Sequence, residues 1–96
     1  MDKSCVMKGF LEFCILTMIN KKNLSGNEIR NELEKRKGTK PSPGTIYPVL
    51  KELQEKKLIV MLKDKGKEKR YHITNIGKKE VERNRKIFMA MFKDLI

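Results

Sequence analysis

The chain contains no tryptophan, one histidine and two cysteines among its 96 residues, and only 12 acidic residues against 23 basic ones. The lone histidine, His72, has no nucleophile or carboxylate pair at a telling spacing, so no catalytic constellation can be assembled and no enzyme is expected. Cys5 and Cys14 have no further cysteine or histidine at ligand spacing, which argues against a metal site and a disulfide framework. Cys14 falls on an apolar helix face and is expected to be a small core residue. The few aromatics offer no platform for stacking RNA bases and no indole slot, and no cofactor is expected. No apolar run approaches the roughly 18 residues of a membrane span. Residues 1–20 lack the apolar run and cleavage site of a secretory leader, so the expected compartment is the cytoplasm and no membrane partner is expected.

What the chain does have is positive charge, with a formal net of +11 and a pI near 9.8. Such an excess favours a polyanionic partner, although a lysine-rich surface also serves solubility. The distribution is more telling than the total. Between Lys56 and Arg70 stand seven basic residues and two acidic ones, a concentrated patch of net +5. A chain this short makes one domain with a modest core, close to the size at which a second subunit helps.

Helical periodicity is clear in Met7, Phe10, Leu11, Cys14, Ile15, Met18 and Ile19, with Asn20 to Asn23 closing that first helix. Ser25-Gly26-Asn27-Glu28 fits a capping box that opens a second helix, with Leu24 and Ile29 as its hydrophobic staple, Leu33 continuing the stripe and Gly38 as a stop. Pro41-Ser42-Pro43-Gly44 then forces a corner into a third helix. There Ser42 is expected to cap, Pro43 suits the first position, and Ile46, Val49, Leu50 and Leu53 form an apolar back. Leu58 to Leu62 is β-prone, residues 64–68 form a charged turn, and Lys69 to Ile73 alternates as a returning strand. The pair predicts a two-stranded hairpin leaning on the helices. Thr74 is expected to cap a last helix running to the C-terminus.

That last helix carries apolar residues seven apart (Val81, Phe88, Leu95), with Ile87, Met91 and Phe92 widening the stripe and Asn84 set within it. Eight of residues 87–96 are apolar. A stripe this apolar needs cover. Folding back on its own domain is one solution, and a seam with a second copy is the other. The heptad spacing favours the second, a homodimer.

The order helix, helix, helix, hairpin, helix gives a fold class that is mainly α with a small β-hairpin. It is the layout of a winged helix-turn-helix (residues 1–74) followed by a dimerisation helix (residues 75–96). In that layout the third helix enters the major groove of double-stranded DNA and the hairpin is a basic wing. Candidate contacts are Ser42 and Thr45 at the helix tip, Tyr47 and Lys51 on its front, and Lys40 before the corner. In the wing the candidates are Lys63, Lys65, Lys67, Lys69 and Arg70. Alternation places Lys67, Lys69 and Tyr71 on one side with Arg70 and His72 on the other. Tyr47 has a second reading, packed beneath the wing, and Arg70 a second one, orienting a carboxylate. A winged-helix adaptor between proteins, reading no DNA, stays open on these patterns.

Over nearly its whole length the chain resembles the PadR family of transcriptional regulators. The likeness is carried by Lys8-Gly9-Phe10-Leu11-Glu12 with Ile15-Leu16, and by Leu24-Ser25-Gly26-Asn27-Glu28-Ile29. Its most specific part is Pro41-Ser42-Pro43-Gly44-Thr45-Ile46-Tyr47-Pro48-Val49-Leu50, followed by Leu53, Leu58-Ile59, Arg70-Tyr71-His72-Ile73-Thr74 and Gly77. The chain departs at Asn27, where an aromatic is more usual, and at His72, where a second tyrosine is common. A single C-terminal helix is similar to the shorter branch of that family. The resemblance implies a homodimeric repressor whose C-terminal helices exchange contacts and whose DNA affinity an effector lowers. It names no effector.

Overall fold

The computed structural model describes the backbone of residues 3–62 and 68–95, with side chains from Gly9 onward. The long helix α1 (Lys3–Lys21) leads into a two-residue strand β1 (Leu24–Ser25), the helices α2 (Gly26–Lys37) and α3 (Pro43–Glu55), the strands β2 (Ile59–Leu62) and β3 (Arg70–Ile73), and α4 (Asn75–Phe92).

Helix α1 has apolar residues on more than one face; of the expected stripe, Leu11, Ile15, Met18 and Ile19 lie in or against the core, while Leu16 replaces Phe10 and Cys14 there. Ile15, Leu16 and Ile19 are fully buried, joined by Ile29 and Leu33 of α2 and by Ile46, Val49, Leu50 and Leu53 of α3. Leu58, Ile59, Tyr71, Ile73 and Val81 complete the cluster. Cys14 is only half-buried and lies outside it, which corrects its expected core position. The reason is rotational: turning Leu16 inward leaves Phe10, Phe13, Cys14 and Thr17 on a second face, where they line a groove. Burial there pushes the Cys14 thiol up, with Arg36 and Lys37 opposing the shift, so the thiol stays protonated at neutral pH.

The capping box at α2 is complete. Ser25 Oγ accepts from the Glu28 N–H and Glu28 Oε1 accepts from the Ser25 N–H, both at 3.1 Å. Gly38 ends the helix at φ 85, donating its N–H to the Glu34 carbonyl. Lys57 takes a left-handed φ of 61, which turns the chain from α3 into β2.

Among the described residues the sheet has three strands, not two, in the order β1-β3-β2 and antiparallel throughout. β3 is central because Leu24 and Ser25 pair with Tyr71 and Arg70 on its far side. Two residues carry no readable alternation, and these two already serve as staple and cap, so the sequence pattern hides the strand. Only Ile59 of β2 is buried. Val60, Met61 and Leu62 project outward, so the hairpin extends beyond the core as a wing.

Thr74 caps α4 by accepting from the Gly77 N–H at 3.0 Å. Its own hydroxyl reaches the Lys57 and Leu58 carbonyls at 2.8 and 3.1 Å. Gly77 and Val81 seat the helix against the core. Further along, Phe88 stacks on Phe13 of α1 with centroids 4.8 Å apart, with Phe10 and Phe92 beside it at 6.2 and 6.0 Å. The first reading of the apolar stripe therefore holds in part: Val81 is core of its own chain and Phe88 packs on α1. Ile87, Met89, Met91, Phe92 and Leu95 remain exposed.

Candidate nucleic-acid interface

Helix α3 divides cleanly into two faces. Its back, Ile46, Val49, Leu50 and Leu53, is buried, while Thr45, Tyr47, Pro48 and Lys51 are exposed on its front. Burying four branched side chains in this short helix fixes its rotation, and that rotation presents the front residues. Pro48 lies within the helix without ending it.

Ser42 occupies the capping position in extended geometry, yet its side chain caps nothing. This corrects the expected capping hydroxyl. The Ser42 carbonyl holds the first turn, accepting from the Thr45 and Ile46 N–H groups at 3.0 and 3.2 Å. Pro43, having no N–H, leaves one fewer unpaired donor at the helix start. The Ser42 hydroxyl instead lies 3.2 Å from Thr45 Oγ1, so two exposed hydroxyls sit side by side at the tip. Lys40 is exposed ahead of them. The corner itself is pinned from α2, where Arg30 donates to the Pro41 carbonyl at 2.8 Å and to Asn27 Oδ1 at 3.1 Å.

Tyr47 combines exposure with a defined seat. The residue is 44 % exposed, and its ring lies across the start of α2. A Cβ on Gly26 would come within 2.7 to 2.9 Å of the Tyr47 hydroxyl, Cζ and Cε1. Gly26 is therefore needed by an aromatic 21 positions later, and no local pattern in the sequence could have found it. Because the atoms it meets are the far end of a flexible side chain, Gly26→Ala is expected to leave the melting temperature unchanged or slightly raised. It displaces the ring and, if the ring contacts DNA, weakens binding by about fivefold, the effect of one hydrogen bond. Thermal melts and duplex titrations on one preparation check both halves.

In the wing, Lys63, Lys65 and Lys67 lie outside the described residues. Lys69 is exposed just before β3 begins. Tyr71 is buried, and burial first, then the nearby Tyr47, pushes its hydroxyl up. Arg70 and His72 point the other way, towards the loop and first turn of α2. Arg70 Nη1 lies 2.9 Å from Glu28 Oε1 and His72 Nδ1 lies 2.9 Å from Asn23 Oδ1. Asn27 donates to Glu68 at 3.2 Å and, ahead of smaller causes, holds that carboxyl below its usual range. The bridge is therefore at full strength above the ordinary glutamate range and is lost only on stronger acidification. The Arg70 pair agrees with the second reading of that residue, orienting a carboxylate, while the ties of His72 to Asn23 and of Asn27 to Glu68 had no signal in the sequence.

Among the described residues no group of three His, Cys, Asp or Glu side chains could hold a metal, and no helix is long and apolar enough to cross a membrane. A groove of about 860 Å³ lies between α1, the end of α2 and α3, with Phe10, Phe13, Met18, Leu33 and Val49 among its walls and Lys21, Arg36 and Lys37 at its edge.

A helix pair whose second member is buried on one side and polar on the other, flanked by a projecting hairpin, defines a winged helix-turn-helix protein. Residues 15–83 match the family model described as the transcriptional regulator PadR-like family. The chain is 34% identical over 79 residues to the transcriptional regulator YqjI of Escherichia coli (strain K12), a match covering 80% of this chain and 38% of that protein. It is also 33% identical over 84 residues to a Lysinibacillus sphaericus protein called uncharacterized protein X, covering 81% and 77% of the two chains. A crystal structure of a PadR-like transcriptional regulator from Bacillus cereus strain ATCC 14579 matches with a TM-score of 0.81 at 33% identity, covering 93% of this chain and 90% of that one. The chain belongs to the PadR-like family of transcriptional regulators, a family of transcription factors and not of enzymes. It spans little more than a third of the length of the E. coli relative.

Proposed function

We propose that this protein is a cytoplasmic, homodimeric repressor that binds a palindromic promoter site in double-stranded DNA and is released by a small-molecule effector. Residues 1–74 read the DNA and residues 75–96 carry the dimer seam. The observation that carries the reading is the two-faced α3, whose buried back leaves Thr45, Tyr47 and Lys51 to meet a groove. Ser42 and Lys40 flank that tip, and the wing adds Lys65, Lys67 and Lys69 as contacts, with Arg70 standing beside them.

Chemistry divides the labour. The paired Ser42 and Thr45 hydroxyls can each donate to a phosphate or a base edge. Lysines contact phosphate, which sets register and makes affinity fall steeply with salt while carrying little sequence information. Sequence preference therefore depends on two copies of α3 spaced about one helical turn apart. The dimer supplies that spacing, supported by the exposed Ile87, Met91, Phe92 and Leu95, with Asn84 half-buried beside Glu80 as a polar register mark.

Selection of bound fragments from a random duplex pool tests the proposal. The expected product is an inverted repeat with half-sites about 10 base pairs apart, centre to centre. Recovery of sequences without symmetry would argue for the protein–protein adaptor in its place.

A further inference from the structure

The backbone ladder that joins the wing to the helix-turn-helix is short. Only Leu24 with Tyr71 and Ser25 with Arg70 pair between β1 and β3. Two rungs leave the angle of a hairpin weakly determined, and side chains must supply the rest. Glu28 is placed to do so. Its Oε1 accepts the Ser25 N–H that closes the α2 cap, and the same oxygen lies 2.9 Å from Arg70 Nη1 on β3. Arg70 Nη1 also lies 3.4 Å from the Asn23 carbonyl, in the loop just before β1. One carboxylate thus ties the start of α2 to the central strand of the sheet from which the wing extends.

We infer that Glu28 and Arg70 are positioning residues for DNA binding: their ion pair sets the wing against the helix-turn-helix, and Arg70 acts through that orientation and not as a phosphate contact. The inference rests on the DNA-binding reading above. It makes a prediction of unusual sign. Removing an acid from a protein that binds a polyanion ordinarily tightens binding, because a repulsion is lost. Removing Glu28 is expected to loosen it.

The experiment compares the wild type with Glu28→Gln, Arg70→Gln and the double variant, using the selected duplex and a scrambled one at several salt concentrations. Glutamine keeps an oxygen that accepts the Ser25 N–H, so the cap survives while the charge is lost. Each single variant is expected to weaken specific binding about threefold to fivefold, the upper range for a partly exposed pair. The double variant should be no weaker than Arg70→Gln alone. The salt slope of Arg70→Gln should equal that of the wild type. A slope reduced by about one marks a lost phosphate contact and overturns the inference, as does Glu28→Gln binding as tightly as the wild type or more tightly.

Amide exchange in the free protein provides an arm that needs no DNA. The amides of Tyr71, His72 and Ile73 should exchange several-fold faster in Glu28→Gln. Unchanged exchange overturns the positioning role even where DNA binding is intact. Failure of the wild type to bind either duplex overturns the DNA reading, whatever the exchange shows.

Discussion

Met91→Glu is expected to leave a folded monomer that has lost tight DNA binding. Met91 is 63 % exposed in its own chain, so a glutamate there meets water and costs the monomer almost nothing. In the proposed apolar seam between two copies the same charge would have neither its hydration nor a partner. Joining two DNA-reading units gains about 10² to 10⁴ in affinity without any new contact, and the loss should fall in that range. Phe88→Glu cannot serve, because Phe88 stacks on Phe13 and its replacement damages the protomer itself. Sedimentation should give a dimer for the wild type and a monomer with native circular dichroism for Met91→Glu. A dimer that survives the substitution puts the seam elsewhere.

Gly77→Ala is expected to be among the most destabilising single substitutions in the chain, by about 2 to 3 kcal/mol. A Cβ there would fall on the Leu58 carbonyl oxygen and come within 2.7 Å of Ile73 Cγ1. The Leu58 carbonyl cannot retreat, because it accepts the Thr74 N–H at 3.0 Å and sits against the hydroxyl that caps α4. Relief therefore requires α4 to lift from the wing and the core together. For a domain of this size the midpoint should drop by roughly 10 to 20 °C. Gly9→Ala is the matched control. Nothing lies within 4 Å of a Cβ at Gly9, so the helix-forming gain of about 0.5 to 1 kcal/mol should appear unopposed. Thermal melts of the two variants should move in opposite directions, and equal shifts would contradict the packing described for α4.

The elements that declare themselves locally were legible in the sequence. The Ser25 and Glu28 box, the Gly38 stop, the apolar back of α3 and the Thr74 cap each rest on residues within one or two turns of each other. They stand in the structure where the pattern put them. The features that escaped depend on distant partners. Strand β1 exists because β3 returns beside it, and its two residues offer no period to detect. Gly26 matters because Tyr47 lies on it. Cys14 sat on a sound helical stripe, but α1 has two apolar faces and only the rest of the core decides which turns inward. The front of α3 was legible for the opposite reason: what remains after its back is buried can be read by subtraction.

Sequence-specific reading of DNA by α3 and the wing is the proposed function. One paired titration tests it most directly, measuring affinity for the selected inverted repeat and for a scrambled duplex of equal length from low to physiological salt. Both affinities are expected to fall steeply with salt, while the repeat keeps an advantage of at least about 10³ at physiological salt. Equal affinity for the two duplexes across the salt range would contradict the proposed function.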